Sequence, residues 1–159
     1  MKKENEQLIW VSKEDKPVAE KLWIISQMYE IGQPTIDLLA NLAANARENA
    51  SKVHPAHLTG AALLSHSGLF YDSCNTEAVT YPETDHAEKS VLARAISCDE
   101  IKFYGRKFIR AIAVSHESES GPCGDCRQRI AEYADNCLIF DVNSKGEILK
   151  ITSLKSLLP

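Results

Sequence analysis

Two stretches about 35 residues apart, His86-Ala87-Glu88 and Pro122-Cys123-Gly124-Asp125-Cys126, carry one imidazole and two thiols. One His and two Cys supply three of the four ligands of a tetrahedral zinc and leave one position open. An open position is the catalytic arrangement, because zinc lowers the pKa of a bound water from near 16 to about 7. The constraint on folding is severe, since two distant segments have to deliver their side chains to one point. Cys123 and Cys126 stand three apart at a helix start marked by Pro122, where unpaired N–H groups and the helix dipole favour thiolates. His86 opens an earlier helix. Glu88, two residues on, is too close in sequence to serve comfortably as a co-ligand yet near enough to reach the zinc-bound water, which suits a proton shuttle.

Other readings of the cysteines explain less. A redox CxxC pair leaves His86 and Glu88 idle and lacks a flanking aromatic. A purely structural zinc would want a fourth protein ligand, for which Cys74 or Cys98 would have to be recruited. The chain has five cysteines, at 74, 98, 123, 126 and 137, so a full disulfide scheme leaves one over. A reducing compartment fits better. A net charge of -4 argues against a surface that collects phosphates, so no long nucleic acid is expected as a partner. Met1 to Gln7 is polar, no apolar h-region follows it, and no apolar run is long enough to span a bilayer. The expectation is a cytoplasmic protein with no membrane partner.

With 159 residues, 44% of them hydrophobic, one core is the default. Residues 1 to about 16 are polar and without period. From Pro17 to Glu30, Val18, Leu22, Ile25, Met28 and Tyr29 follow helical spacing, so residues 1–32 read as an extension with a helix and 33–159 as the catalytic domain. Thr35 is expected to cap the next helix, with Ile36, Leu38, Leu39, Leu42, Ala43 and Ala46 as its buried stripe. Thr59 to Ser65 and Leu69 to Cys74 are separated by His66, Ser67 and Gly68, a hairpin signal. A helix from His86 through Ile96, a buried strand from Phe108 to Ser115 and a helix from Cys123 to Tyr133 follow. Two last strands, Leu138 to Val142 and Glu147 to Ile151, are joined by four residues, Asn143 to Gly146. That linker is too short for a parallel crossover, so the two are antiparallel neighbours. The expected fold class is α/β, a three-layer α/β/α sandwich around a mixed sheet of five strands.

Over roughly residues 36 to 159 the chain resembles the small homotetrameric zinc-dependent cytidine deaminases. HAE followed by PCxxC is the pattern of the zinc nucleobase deaminases. Gly60-Ala61-Ala62-Leu63-Leu64 looks like the family's first strand, Cys74-Asn75-Thr76-Glu77 like its ribose-binding CNxE segment, and Pro122 to Gln128 like its PCGxCRQ block. The ending Leu157-Leu158-Pro159 resembles the family terminus. The resemblance implies one zinc per subunit on His86, Cys123 and Cys126, hydrolytic attack at C4 of a cytosine nucleoside, and Glu88 passing protons to N3 and then to the departing amine. It implies Asn75 and Glu77 as substrate-binding residues, a small-molecule nucleoside partner, a homo-oligomer (a tetramer, with a dimer as the alternative) with neighbouring subunits completing each site, and a place in pyrimidine salvage. A carboxylate at 77 accepts from sugar hydroxyls and repels a phosphate, which favours nucleosides over nucleotides.

Three departures stand out. Many small members use a third Cys where this chain has His86, so the metal core here is neutral where theirs carries a net negative charge. Lys89 correspondingly replaces the Arg beside the catalytic Glu, a weaker partner for thiolates. His57 stands where the family has a Phe that packs against the base, which makes it a substrate-binding candidate and opens a second reading, deamination of a blasticidin-type antibiotic or a modified cytosine nucleoside. The third departure is the extension before residue 32. The tRNA adenosine, guanine and deoxycytidylate branch shares HAE and PCxxC, but it places a helix between its last two core strands, which Asn143 to Gly146 cannot hold. A non-catalytic zinc- and nucleoside-binding domain would have no use for Glu88 beside the metal.

Overall fold

The computed structural model describes residues 29–51, 53, 57–117 and 121–158. In chain order the elements are α1 (Gln33–Glu48), β1 (Gly60–Ser65), β2 (Phe70–Cys74), α2 (Ala87–Ser97), α3 (Glu100–Phe103), β3 (Ile109–Ser115), α4 (Gly124–Tyr133), β4 (Leu138–Val142), β5 (Ile148–Ser153) and α5 (Leu154–Leu157). The sheet order is β2-β1-β3-β4-β5. β3 and β4 are parallel, with α4 in their connection, and the other pairs are antiparallel. The last two strands are the antiparallel neighbours that their short linker requires.

The central strands are predominantly apolar because both faces of the sheet are covered. Every residue of β1 and β4 is buried. On one face Ile36, Leu39, Ala40 and Ala43 of α1 pack on Ala62, Leu64, Ala111, Ala113 and Phe140. On the other, Ala87, Val91 and Ala95 of α2 and Ile130 of α4 pack on Ala61, Leu63, Ile112, Val114 and Ile139. This is the three-layer sandwich with a mixed five-stranded sheet. No helix among the described residues is long and apolar enough to cross a membrane.

The start and stripe of α1 differ from expectation. Gly32 is its N-cap and Pro34 lies in its first turn, where a residue without an N–H costs nothing. Thr35 therefore sits inside the helix, its N–H bonded to the Gly32 carbonyl at 3.0 Å. Leu38 is 46% exposed, because it points away from the side shared by Ile36, Leu39 and Ala43. Arg47 takes a place in the buried stripe instead. The helix expected from Pro17 to Glu30 lies outside the described residues except for its last two, whose carbonyls accept from Arg110.

Two short helices carry no usable sequence period. α3 is held by Glu100, a buried carboxylate that accepts from Ser65 Oγ at 2.6 Å, Ser67 Oγ at 2.7 Å and the Tyr71 hydroxyl at 2.8 Å. Burial pushes the Glu100 carboxyl up, but the three hydroxyl donors outweigh it and hold the group below the ordinary range. The Tyr71 hydroxyl is pushed up to about 12 by burial and by Glu100. Gly68, with φ of +89°, makes the tight β1–β2 turn that brings Ser67 to this cluster. α5 is capped by Ser153, whose Oγ accepts from the Ser156 N–H at 3.3 Å.

Candidate active site

Two helix starts meet at one end of the outer α2–α4 layer. His86 is the N-cap of α2, with φ -71° and ψ 145°, and Cys123 is the N-cap of α4, with φ -64° and ψ 168°. Neither uses its side chain to cap its own helix, so the imidazole and the thiol are left for other work. His86 Nδ1 lies 3.5 Å from Cys123 Sγ and 3.3 Å from Cys126 Sγ. The three ligand atoms lie within 4.8 Å of one another, and no other such group occurs among the described residues. Zinc bonds of about 2.3 Å to sulfur and about 2.0 Å to nitrogen, at a tetrahedral angle, put N and S roughly 3.6 Å apart. The spacing fits zinc. Cys74 and Cys98 are not part of the group, which removes the fourth ligand that a closed structural site would want.

The electrostatics call for a cation as well. The Cys126 thiol is pushed far above the ordinary thiol range, first by burial and then by the negative charge of Glu88 and Cys123. Cys126 and Glu88 are buried while Cys123 is exposed, and two buried potential anions beside a third are stable when a divalent cation neutralises them. Glu88, in the first turn of α2 and 6% exposed, lies beside Cys126 and helps to raise its thiol pKa. Lys89 is ion-paired with Asp125, which raises the lysine pKa and lowers that of the carboxyl. The positive charge beside the thiolates is thus largely spent on Asp125. A neutral His-Cys-Cys zinc core can bear that better than an anionic three-thiolate core.

A cleft of about 290 Å³ opens onto Glu88 and the cluster. Asn75 and Glu77, both buried, line it together with His57. The Asn75 side chain ties the loop before β1, accepting from the Thr59 N–H at 2.8 Å and donating to the His57 carbonyl at 3.0 Å. An amide has two lone pairs on oxygen and two N–H groups, so each half of Asn75 keeps capacity for a ligand. Six of the seven residues singled out from the sequence line this cleft, and the seventh, Cys126, is fully buried and grouped with His86 and Cys123.

Four residues that sequence reasoning passed over belong to the same region. His116 and Glu117, just after β3, line the cleft. Asp141, buried on β4, lies 3.4 Å from His116 Nε2. Arg47 is ion-paired with Glu117 and donates from Nε to the Leu58 carbonyl at 2.9 Å. A charged residue in the apolar stripe of α1 was the available signal for Arg47; nothing in the local sequence marks the other three.

Residues 35–141 match the cytidine and deoxycytidylate deaminase zinc-binding region. A cytidine deaminase of Sporosarcina psychrophila is 35% identical over 125 residues, covering 77% of this chain and 88% of the relative. A blasticidin-S deaminase of Bacillus cereus is 27% identical over 112 residues, covering 65% of this chain and 75% of that protein. Among solved structures, the cytidine deaminase of Burkholderia pseudomallei superposes with a TM-score of 0.67 at 31% identity, covering 77% of this chain and 94% of the other. The agreement extends over about three quarters of the chain, and the chain belongs to the zinc-binding cytidine and deoxycytidylate deaminase family.

Proposed function

We propose that the protein hydrolyses cytidine and deoxycytidine to uridine and deoxyuridine with release of ammonia, using zinc held by His86, Cys123 and Cys126. The observation that carries this reading is a buried carboxylate, Glu88, in contact with the ligand cluster at the floor of a nucleoside-sized cleft. Zinc held there would supply an acidified water and stabilise the negative charge that develops on the attacking oxygen. Glu88 is placed to pass one proton of the attacking water to N3 and the second, from the new C4 hydroxyl, to the exocyclic amine, so that the C4–N bond breaks, ammonia leaves and the C4 carbonyl forms. Asn75 and Glu77 bind the sugar hydroxyls and orient the ring, and the Glu77 carboxylate disfavours a phosphorylated sugar. His57 borders the base and replaces apolar packing by an imidazole face.

The second reading, a blasticidin-type or modified cytosine nucleoside, draws on His57 and on the 27% identity to the Bacillus cereus enzyme. The 35% identity to a cytidine deaminase over a longer stretch favours the first. Zinc-loaded protein offered cytidine, deoxycytidine, deoxycytidylate and blasticidin S is expected to release ammonia from the first two at least about a hundredfold faster than from the others, a margin that an unpaired or repelled polar group supplies. Turnover of blasticidin S alone would replace the first reading by the second. His57→Phe is expected to lower KM for cytidine.

The family resemblance also motivates a homotetramer working in the cytoplasm in pyrimidine salvage. Tyr81 and Pro82, on a 3-10 turn between Glu77 and His86, are the segment proposed to reach a neighbouring subunit's site. Sedimentation equilibrium is expected to give four chains per particle, and a fully active monomer would overturn the assembly.

A further inference from the structure

Arg47 lies in the last turn of α1, its side chain 7% exposed. Gly60 fixes how closely that turn approaches β1. A Cβ at position 60 would sit 2.1 Å from the Ala43 carbonyl oxygen and 2.4 Å from the Arg47 amide nitrogen, so only glycine permits this contact. From this seat the guanidinium reaches in two directions. Its Nε donates to the Leu58 carbonyl, in the loop that bears His57 and is also held by Asn75. Its Nη2 pairs with Glu117, next to His116, whose backbone N–H is anchored to the Val142 carbonyl at 3.3 Å. His57, Leu58, His116 and Glu117 all line the cleft, and one side chain joins the two segments that carry them.

We propose that Arg47 and Glu117 form a brace across the cleft, with Arg47 a positioning residue that holds the His57 and His116 segments at the separation a nucleoside base requires. The identity of the ligand rests on the deaminase reading; the brace itself does not. Stability gives no sufficient reason for the pair, because the Glu117 side chain is 68% exposed and an ion pair with so exposed a partner contributes little. A planar guanidinium with donors in two directions is the group suited to bridge a carbonyl and a carboxylate, and a lysine ammonium reaches such a pair less well. Its effect is therefore expected on binding geometry more than on melting.

The experiment compares Glu117→Gln, Arg47→Lys, Arg47→Gln and the double Gln variant by amide hydrogen exchange, zinc content and kinetics with cytidine. Glu117→Gln is expected to raise exchange at both 57–59 and 116–117, and to raise KM about tenfold with kcat within about twofold and zinc unchanged, the size of coupling that contacting residues show. Arg47→Lys is expected to fall between wild type and Arg47→Gln, and the double variant to be no worse than Arg47→Gln alone. Exchange rising in Glu117→Gln only at 116–117, additive effects in the double variant, or a fall in kcat without a change in KM would each overturn the brace. A wild type that bound zinc but left cytidine intact would overturn the deaminase reading, and the coupled exchange would still decide the brace.

Discussion

Glu88→Gln is expected to lower kcat on cytidine by roughly three to four orders of magnitude while leaving about one zinc per chain, the upper range for loss of a positioned acid–base group. The carboxylate sits in the first turn of α2, buried, two residues beyond His86 and in contact with Cys126. Gln keeps the volume and a hydrogen-bonding oxygen but cannot accept a proton at neutral pH. The His86 Nδ1 and both sulfurs are untouched, so the metal should stay. Ammonia release in a coupled assay reads the first quantity and elemental analysis the second. A kcat within tenfold of wild type would remove Glu88 from proton transfer, and loss of zinc would make it part of the metal's support.

The metal cluster was legible because its chemistry is local. Pro122 and the three-residue spacing mark a helix start that presents two sulfurs on one side, and His86 marks another; the structure confirms both as N-caps. The sheet was legible for a similar reason. Continuous apolar runs identify β1, β3 and β4, and the four-residue link before β5 leaves one pairing direction. The cleft wall was less legible because it is assembled from residues far apart in the chain. Arg47 and Glu117 are separated by 70 positions, and His116 and Asp141 by 25. Apart from Arg47, whose place in the apolar stripe of α1 is a signal, each looks like an ordinary polar residue until strand order brings the segments together. Glu100 is the same case at the other end of β1, a carboxylate whose burial follows from three hydroxyls on the β1–β2 hairpin. Asn75 shows a subtler limit. Sequence places it in the ribose segment, but only the structure reveals that the same amide also fixes the loop carrying His57.

Cys126→Ala separates the metal from the proton shuttle. The thiol is fully buried and lies 3.3 Å from His86 Nδ1, so on the proposed assignment its removal takes one of three protein ligands from the centre. Two remaining ligands hold zinc far more weakly, because the entropy of organising the site is met by fewer bonds. The expected result is less than about a tenth of a zinc per chain at micromolar free metal, with no measurable turnover. Melting distinguishes this from a general packing defect. Zinc at about a thousand times its dissociation constant should stabilise the wild type by about 4 kcal/mol, since the metal binds the folded chain. The variant's Tm should stay flat over the same range and lie near that of chelator-treated wild type, offset by the small cavity that a missing sulfur leaves. Stoichiometric zinc in Cys126→Ala would overturn the three-ligand assignment. A zinc-dependent Tm in Glu88→Gln alongside a zinc-independent one in Cys126→Ala would show that the carboxylate and the thiol, though in contact, do different work.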